Sequence, residues 1–314
     1  MQYATETATQ TRHAHQDIID RLCEPQASIS PKYFYDLLGS RLFELITLLP
    51  EYYPTRTERS VMREHASAIA AAVGLGGTLI DLGAGNCEKA EALFDTLRPR
   101  QYVALDISTD FIQQAVAGLR RRHPSIDICA VGADLSQPFD LPPAVHAHQR
   151  TFFYPGSSIG NFDPPEALAL LRRIRQLCGG EGGLLIGVDL VKDTAVLESA
   201  YDDELGVTAA FNLNLLNHVN RLLESDFHPR DWLHRARYAR NQSRIEMYLE
   251  ARRELSVAWP GGQRTFAAGE RIHTENSYKY TLTDFENLLK HAGFSRTRSW
   301  TDARHWFGVC HATV

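Results

Sequence analysis

Features that mark several classes of protein are missing from this sequence of 314 residues. It has only five cysteines, which are scattered and form neither a Cys-x-x-Cys pair nor a zinc-finger spacing with histidine. An odd, dispersed set favours reduced thiols over a disulfide framework, and we expect no metal site. The cysteines are Cys23, Cys87, Cys129, Cys178 and Cys310.

Long apolar runs and an excess of positive charge are also missing. No run approaches the roughly 18 residues that a membrane helix needs, and the N-terminus, with Glu6, Arg12 and His13, lacks a signal-peptide core. The net charge of −5 argues against a protein that coats nucleic acid, because such proteins usually carry a basic surface. We expect a cytoplasmic monomer that acts on a small molecule, with neither nucleic acid nor membrane as partner.

Strand-like and helix-like patterns alternate from about residue 57. Helical patterns separate five short apolar segments, an arrangement that is typical of βαβ units and predicts a mostly parallel sheet. The predicted strands are 78–82, 101–106, 126–131, 150–158 and 183–191, and predicted helices include 58–73, 87–97, 109–121 and 164–177.

A glycine turn, Asp81–Gly85 (DLGAG), joins the first predicted strand to the next helix. Gly83 and Gly85 lack a Cβ atom, so the backbone there can adopt a positive φ and approach a ligand closely. Ligands of open parallel sheets bind beyond the carboxyl ends of the strands. The helix start suits a carboxylate such as the methionine end of S-adenosylmethionine. Asp106 and Asp134, at later strand ends, would face the ribose hydroxyls and the adenine amino group.

A dinucleotide-binding enzyme would show the same strand, turn and ribose acid. Its phosphate-binding turn needs a third small residue, however, and Glu88 stands at that position. The carboxylate of Glu88 would also oppose a pyrophosphate. The turn therefore favours S-adenosylmethionine over a dinucleotide, while a plain α/β domain with an ordinary tight turn is a further alternative.

The alternation stops after residue 191 and resumes near residue 278. The stretch between combines long helical patterns with strand-like segments, and a helix with two short strands follows it, as at the end of many methyltransferase sheets. We expect a Rossmann-like seven-stranded α/β methyltransferase sheet with an inserted α+β substrate-binding domain. The cofactor domain would comprise 56–191 and 278–314, and the substrate domain 1–55 and 192–277.

Several short segments resemble the histidine-specific Nα-methyltransferase family, whose members trimethylate histidine to hercynine in ergothioneine biosynthesis. They span residues 30–280, and the YYPTRTE run is specific to the family. In that family the N-terminal arm and the inserted segment form a separate substrate domain. The segments are 32–36 (KYFYD), 49–58 (LPEYYPTRTE), 156–161 (GSSIGN), 189–193 (DLVKD), 200–203 (AYDD), 206–212 (GVTAAFN), 244–247 (RIEM) and 274–277 (TENS).

The resemblance implies contacts with the amino-acid substrate. Asn161 and Tyr201 would hold its carboxylate, and Tyr52, Glu275 and Ser277 would contact its imidazole. A neutral imidazole has one donor and one acceptor nitrogen, and a carboxylate with a hydroxyl can complement both.

Other positions are implied near the reacting groups and the cofactor. Tyr35 and Phe43 would border the methylated nitrogen, with Gly156 nearby, and Met247 would form a wall of the side-chain pocket. Tyr35 and Phe43, together with Asn161 and Tyr201, are the expected catalytic residues. The expected cofactor-binding residues are Asp81, Gly83, Gly85, Lys89, Asp106 and Asp134.

Each of these residues also has a structural interpretation. Tyr52 and Met247 are packing residues in that interpretation, Glu275 and Ser277 face solvent, and Asn161 caps the following helix. The sequence departs from the family at 83–87 (GAGNC) and beside Glu275, at Asn276 and Tyr278. Methylation of another aromatic amino acid or a histidine derivative is therefore the nearest functional alternative. A non-catalytic S-adenosylmethionine-binding protein and an oxidoreductase on the same sheet are the more distant ones.

Overall fold

The computed structural model describes residues 15–314 except the side chain of Asp110, and the described chain divides into two compact units. The first, called the sheet unit, comprises Tyr53–Asp193, Gln242–Arg244 and Ser277–Val314. The second, called the mixed unit, comprises residues 15–52 together with Thr194–Asn241 and Ile245–Asn276. The assignment of one domain to the cofactor and the other to the substrate stays a prediction.

A seven-stranded sheet forms the centre of the sheet unit. Its strands are β1 (Thr78–Leu82), β2 (Gln101–Asp106), β3 (Asp127–Gly132), β4 (Arg150–Tyr154), β5 (Gly183–Asp189), β11 (Arg296–Thr301) and β12 (Phe307–Thr313). They are arranged in the order β11-β12-β5-β4-β1-β2-β3, with β1 to β5 parallel and β12 antiparallel to both of its neighbours. This topology confirms the predicted Rossmann-like sheet.

Apolar residues cover both faces of this sheet. All five residues of β1 are buried, and its successive side chains belong to different apolar clusters, Leu79 to one and Ile80 to the other. Strands buried on both faces read as continuous apolar runs, which is why the sequence pattern found them. The helices of the sheet unit are α3 (Tyr53–Glu64), α4 (Ala66–Val73), α5 (Glu88–Glu91), α6 (Phe94–Leu97), α7 (Thr109–Arg122), α8 (Pro164–Leu177) and α11 (Leu282–His291).

The mixed unit contains helices and shorter sheets. Helix α2 (Leu37–Ile46) packs against helix α10 (Val207–Leu223). The ring of Phe34, just before α2, stacks on that of Phe211 in α10 with centroids 4.6 Å apart. Strands β6, β7 and β10 form a three-stranded sheet in the order β10-β7-β6, and β8 pairs with β9. Its elements are α1 (Gln16–Cys23), α2 (Leu37–Ile46), α9 (Thr194–Ser199), α10 (Val207–Leu223), β6 (Trp232–Ala239), β7 (Arg244–Ala251), β8 (Leu255–Trp259), β9 (Gly262–Phe266) and β10 (Arg271–Tyr278).

Some predicted elements were wrong in detail. The single helix expected over 87–97 is two short helices, α5 and α6, and the helix expected over 58–73 is divided between α3 and α4. The strand expected over 150–158 ends at Tyr154, because Gly156 and Ser157 have positive φ and a 3₁₀ turn, Ser158–Asn161, follows. Asp134 lies two residues beyond the end of β3.

Candidate active site

The glycine turn is bonded to the end of β2. The backbone N–H groups of Gly83 and Ala84 donate to the carbonyl oxygen of Leu105, at 2.8 and 3.1 Å. Gly83 and Gly85 have φ of +69° and +52°, and an added Cβ atom at either would meet no other heavy atom of residues 15–314 within 4 Å. The open side of the turn therefore allows a ligand to reach the backbone closely.

Asp106 connects the turn to the chain that follows β2. One carboxylate oxygen accepts from the N–H of Gly85 at 2.9 Å, and the other accepts from the N–H of Ser108 at 2.9 Å. An ionised carboxylate has about four acceptor positions, so ribose hydroxyls can still be accommodated. Asp134 accepts from the backbone N–H of Ser136 at 2.9 Å. Both predicted acids thus have the geometry of carboxylates held by backbone donors.

Asp81 lies beneath the turn, within β1. Its side chain is buried, and the Tyr102 hydroxyl donates to Oδ2 at 2.8 Å, whereas Oδ1 has no hydrogen-bond partner among residues 15–314. Burial raises the pKa of Asp81 to about 7. A direct contact between Asp81 and a cofactor stays a prediction.

Lys89 and Gly156 are joined by a residue to which the sequence assigned no role. Glu58, a buried residue of α3, accepts from the Lys89 ammonium at 2.7 Å through Oε2. Its other oxygen, Oε1, accepts from the backbone N–H of Gly156 at 2.8 Å. The motif that contains Glu58 was recognised, but this contact spans 98 residues for Gly156 and has no local sequence signal.

A buried ion network surrounds Asp189 at the end of β5. Its carboxylate accepts from Lys192 and Lys279, at 2.5 and 2.8 Å, and from the Tyr53 hydroxyl at 2.7 Å. Burial would raise the pKa of Asp189, but the two ammonium groups outweigh it and hold that pKa below its usual value. Lys279 also donates to the Ser277 hydroxyl at 2.8 Å. Ser277, a predicted contact of the imidazole, is therefore held by Lys279, a charged residue that the sequence did not single out.

Asn161 ends the 3₁₀ turn after β4. The N-cap of α8 is Asp163, and the Glu166 carboxylate accepts from the Asp163 N–H at 3.1 Å in a capping box. The interpretation of Asn161 as the helix cap is therefore wrong.

Four predicted residues of the mixed unit lie side by side. Ring centroids are 5.9 Å apart for Tyr35 and Phe43, 6.2 Å for Phe43 and Tyr52, and 6.3 Å for Tyr52 and Tyr201, all with edge-to-face geometry. Phe211 of α10 adds a fifth ring, 5.9 Å from Tyr35 and 6.0 Å from Phe43. We call these five residues the ring cluster. Phe211 lies in a recognised segment, but its role was missed because it reads as an ordinary core residue of a helix.

His234 holds the backbone at Tyr201. The Asn212 amide nitrogen is 2.8 Å from Nδ1 of His234, and Nε2 is 2.8 Å from the carbonyl oxygen of Tyr201. An amide nitrogen only donates, so Nδ1 accepts and Nε2–H donates, which defines a neutral tautomer. Burial lowers the pKa of His234, in agreement with the neutral form.

The remaining predicted substrate residues are all buried. Met247 lies on β7 and Glu275 on the neighbouring strand β10, with 2% and 9% of the residue exposed, and Ser277 is 3% exposed. The interpretation that Glu275 and Ser277 face solvent is therefore wrong. Burial of Met247 agrees with both a core role and a pocket wall.

Among the described residues, no helix is both long and apolar enough to cross a membrane. Nor do the described side chains include a group of three or more His, Cys, Asp or Glu residues arranged to hold a metal ion.

Comparison with known proteins identifies the family. The profile of a family described as histidine-specific, S-adenosylmethionine-dependent methyltransferases matches residues 14–314. The chain belongs to this family. Its seven-stranded sheet is accordingly that of an S-adenosylmethionine-dependent methyltransferase, and the roles of the turn and of the strand-end acids stay predictions.

Curated relatives include members of this family from bacteria and fungi. The histidine N-alpha-methyltransferase of Mycolicibacterium smegmatis is 39% identical, over 93% of this chain and 92% of its own length. The enzyme of that name from Mycobacterium tuberculosis is 38% identical over the same shares. Ergothioneine biosynthesis protein 1 of Neurospora crassa is 30% identical over 85% of this chain, which corresponds to 31% of that longer protein.

Proposed function

We propose that this chain transfers methyl groups from S-adenosylmethionine to the α-amino nitrogen of L-histidine, three times, to give the betaine hercynine. The observation that carries the proposal is a similarity that extends over nearly the whole chain. The chain is 39% identical, over 93% of its length, to a protein named for histidine Nα-methylation. Such extended similarity covers both the sheet unit and the mixed unit.

The residues at the glycine turn fit the cofactor. The turn leaves space beside Gly83 and Gly85, and Asp106 presents a carboxylate already oriented by two backbone N–H groups. Lys89 would bind the amino-acid carboxylate, Asp106 the ribose and Asp134 the adenine, with Asp81 below the turn. When bound, S-adenosylmethionine supplies an electrophilic methyl group on a sulfonium ion.

The proposal assigns the predicted substrate residues as follows. Tyr52 and Glu275 contact the imidazole beside the Met247 wall, Tyr201 binds the carboxylate, and Tyr35 and Phe43 border the nitrogen. Gly156, Asn161 and Ser277 are the other predicted substrate residues.

The chemistry requires positioning more than a strong base. The α-amino group of a free amino acid has a pKa above neutrality, so a small neutral fraction with a free lone pair is present at physiological pH. The chain's task is to hold that nitrogen in line with the methyl group and its leaving sulfur, a positioning effect that contributes several kcal/mol. Aromatic faces such as those of the ring cluster also attract the quaternary ammonium that three transfers produce.

Incubation with methyl-labelled S-adenosylmethionine and a panel of amino acids tests the proposal. We expect mass spectrometry to show histidine with one, two and finally three added methyl groups. Methylation of tryptophan or tyrosine without histidine would support the alternative of another aromatic acceptor. Protection from heating by a nicotinamide cofactor, but not by S-adenosylhomocysteine, would favour the oxidoreductase alternative.

Glu275→Ala tests the assignment of the imidazole contact. We expect it to weaken histidine binding far more than S-adenosylhomocysteine binding, each measured by calorimetry. An equal loss of both affinities would show that Glu275 has a structural role only.

The cellular setting is also part of the proposal. A small polar substrate and cofactor suit a monomer that acts in the cytoplasm without nucleic acid or membrane as partner. Light scattering after size-exclusion chromatography measures the oligomeric state directly, and a dimer mass would contradict the monomer.

A further inference from the structure

We infer that Glu58 is a positioning residue that aims the ammonium group of Lys89 at the carboxylate of the methyl donor. The inference rests on the proposed function, because it takes Lys89 as the residue that binds this carboxylate. It adds a residue, Glu58, that acts on the cofactor only through another side chain.

The carboxylate of Glu58 makes two bonds in two directions. Oε2 accepts from Lys89, on α5 directly after the glycine turn, at 2.7 Å. Oε1 accepts from the backbone N–H of Gly156, directly after β4, at 2.8 Å. Glu58 therefore links the segments that follow β1 and β4, which are neighbours in the sheet.

The sheet provides space for this carboxylate at one residue of β5. A Cβ atom added to Gly187 would lie 2.3 Å from Oε1 of Glu58, closer than atoms can approach. Any side chain at this position would displace the carboxylate. A glycine inside a buried strand marks a close approach of another group, and here that group is the Glu58 carboxylate.

Glu58 is buried and therefore restricted in its motion, whereas Lys89 is partly exposed to solvent. The Glu58 side chain is 5% exposed and the Lys89 side chain 36% exposed. A lysine stem is flexible, so an unpaired ammonium would sample many rotamers and would lose that freedom when it bound an anion. The ion pair with Glu58 restricts the stem beforehand, which lowers the entropic cost of binding.

The donor geometry leaves capacity for a ligand. An ammonium group has three N–H donors and no acceptor. One of them is directed at Glu58, so two can serve the carboxylate of a bound amino acid. The negative charge of Glu58 also compensates the positive charge of Lys89. The cofactor is therefore recognised by the positions of the Lys89 N–H donors rather than by a net positive charge.

Calorimetric titration with S-adenosylhomocysteine and with 5′-methylthioadenosine tests the inference in the full chain. Methylthioadenosine shares the nucleoside but lacks the amino-acid carboxylate. For Glu58→Gln we expect about 10-fold weaker binding of S-adenosylhomocysteine, equivalent to about 1.4 kcal/mol, and unchanged binding of methylthioadenosine. Equal weakening of both ligands would overturn the inference, because it would mean that Glu58 only maintains the fold.

A double-mutant cycle with Lys89→Met gives a second readout. If Glu58 acts through Lys89, the double variant Glu58→Gln/Lys89→Met binds S-adenosylhomocysteine no more weakly than Lys89→Met alone. Losses that multiply would contradict the inference. It would equally be overturned if Lys89→Met had wild-type affinity, and histidine methylation, assayed separately, would then still decide the proposed function.

Two further variants complete the design. Glu91→Gln is the matched control, since it removes a carboxylate that pairs with Arg122 on the same unit, and we expect unchanged affinity for both ligands. Glu58→Asp keeps the charge but shortens its reach, and it replaces Glu58→Gln if that variant does not fold. We expect Glu58→Asp to weaken S-adenosylhomocysteine selectively as well, and loss of both ligands would again overturn the inference.

Discussion

The glycine-turn region of the sheet unit and the ring cluster of the mixed unit hold their side chains by different forces. Around the turn, carboxylates accept directional hydrogen bonds from backbone N–H groups, as Asp106 does from Gly85 and Ser108. In the ring cluster, aromatic side chains meet edge to face, with centroids about 6 Å apart. Charged hydrogen bonds position single atoms, whereas ring contacts shape a surface.

In the proposed function, this difference corresponds to two kinds of recognition. A polar cofactor with hydroxyl, amino and carboxylate groups needs donors and acceptors at defined points. A nitrogen that becomes more apolar with each methyl group, and permanently charged with the third, needs aromatic faces. Variants of the two regions should therefore fail in different ways, and the following experiments separate them.

The largest effect is expected in the charged interior of the sheet unit, for Asp189→Asn. This change leaves the buried ammonium groups of Lys192 and Lys279 without their counter-ion. Loss of one partner from a buried ion network costs about 3–5 kcal/mol of unfolding free energy. Urea unfolding measures the loss, and Glu91→Gln, at a partly exposed pair, should change the midpoint little. A wild-type midpoint for Asp189→Asn would contradict this prediction.

The next effect depends on pH and concerns Asp81. Burial raises its pKa in the folded state from 3.8 to about 7, so the unfolded chain ionises first as pH rises. Stability is therefore fully present below pH 4 and is lost on the way to pH 7. Asp81→Asn, which stays neutral, should gain on the order of 4 kcal/mol over the wild type across this window and nothing more above it. Parallel stability curves of the cofactor-free proteins would show that Asp81 is not protonated in the folded state.

The variant Asp106→Asn tests whether the glycine turn contributes to cofactor affinity. The amide keeps the size of the side chain but loses charge-assisted hydrogen bonds, so S-adenosylhomocysteine should bind about 10- to 100-fold more weakly. Asp127→Asn is the control, because Asp127 begins β3 at the amino ends of the parallel strands, whereas Asp106 lies at the carboxyl end of β2. If both variants bind equally well, the polar contacts of the turn do not recognise the cofactor.

The smallest effect is expected in the ring cluster, for Phe43→Leu. Leucine keeps apolar volume but removes an aromatic face, so the last methyl transfer should slow by about fivefold while the first changes little. Mass spectrometry would then detect accumulated dimethylhistidine. Phe227→Leu is the control, since Phe227 packs on Trp232 rather than on the ring cluster. Uniform slowing of all three transfers would indicate that Phe43 shapes the unit and does not contact the cation.

Local patterns explain which parts of the fold were predictable. The strands β1, β2, β4 and β5 are largely buried apolar runs, and helix α8 begins and ends as predicted. Strand β6 was missed because Arg235 and Arg237 break its apolar pattern, and both pair with acids of β7, Glu250 and Glu246. Only the pairing partner makes such a charged segment a strand.

The residues of the candidate site were likewise predictable where a local pattern or a family motif contains them, and not elsewhere. The turn and Asp106 were found because a strand, two glycines and an acid at the next strand end form a local pattern. Resemblance to a family supplied Tyr35, Phe43 and Tyr52, but neither pattern nor resemblance indicated that Phe211 packs against two of these rings.

The sequence alone determined the parallel sheet, the glycine turn, the acids at the strand ends and the family. These features depend on residues close together in the chain, or on motifs that can be read in order. Only the tertiary structure decided the partners of the buried charges, such as Glu58 with Gly156 and Tyr53 with Asp189, which are 98 and 136 residues apart. The reason is physical: a buried charge requires a counter-ion or donors nearby in space, and the strand order, rather than the local sequence, brings them there.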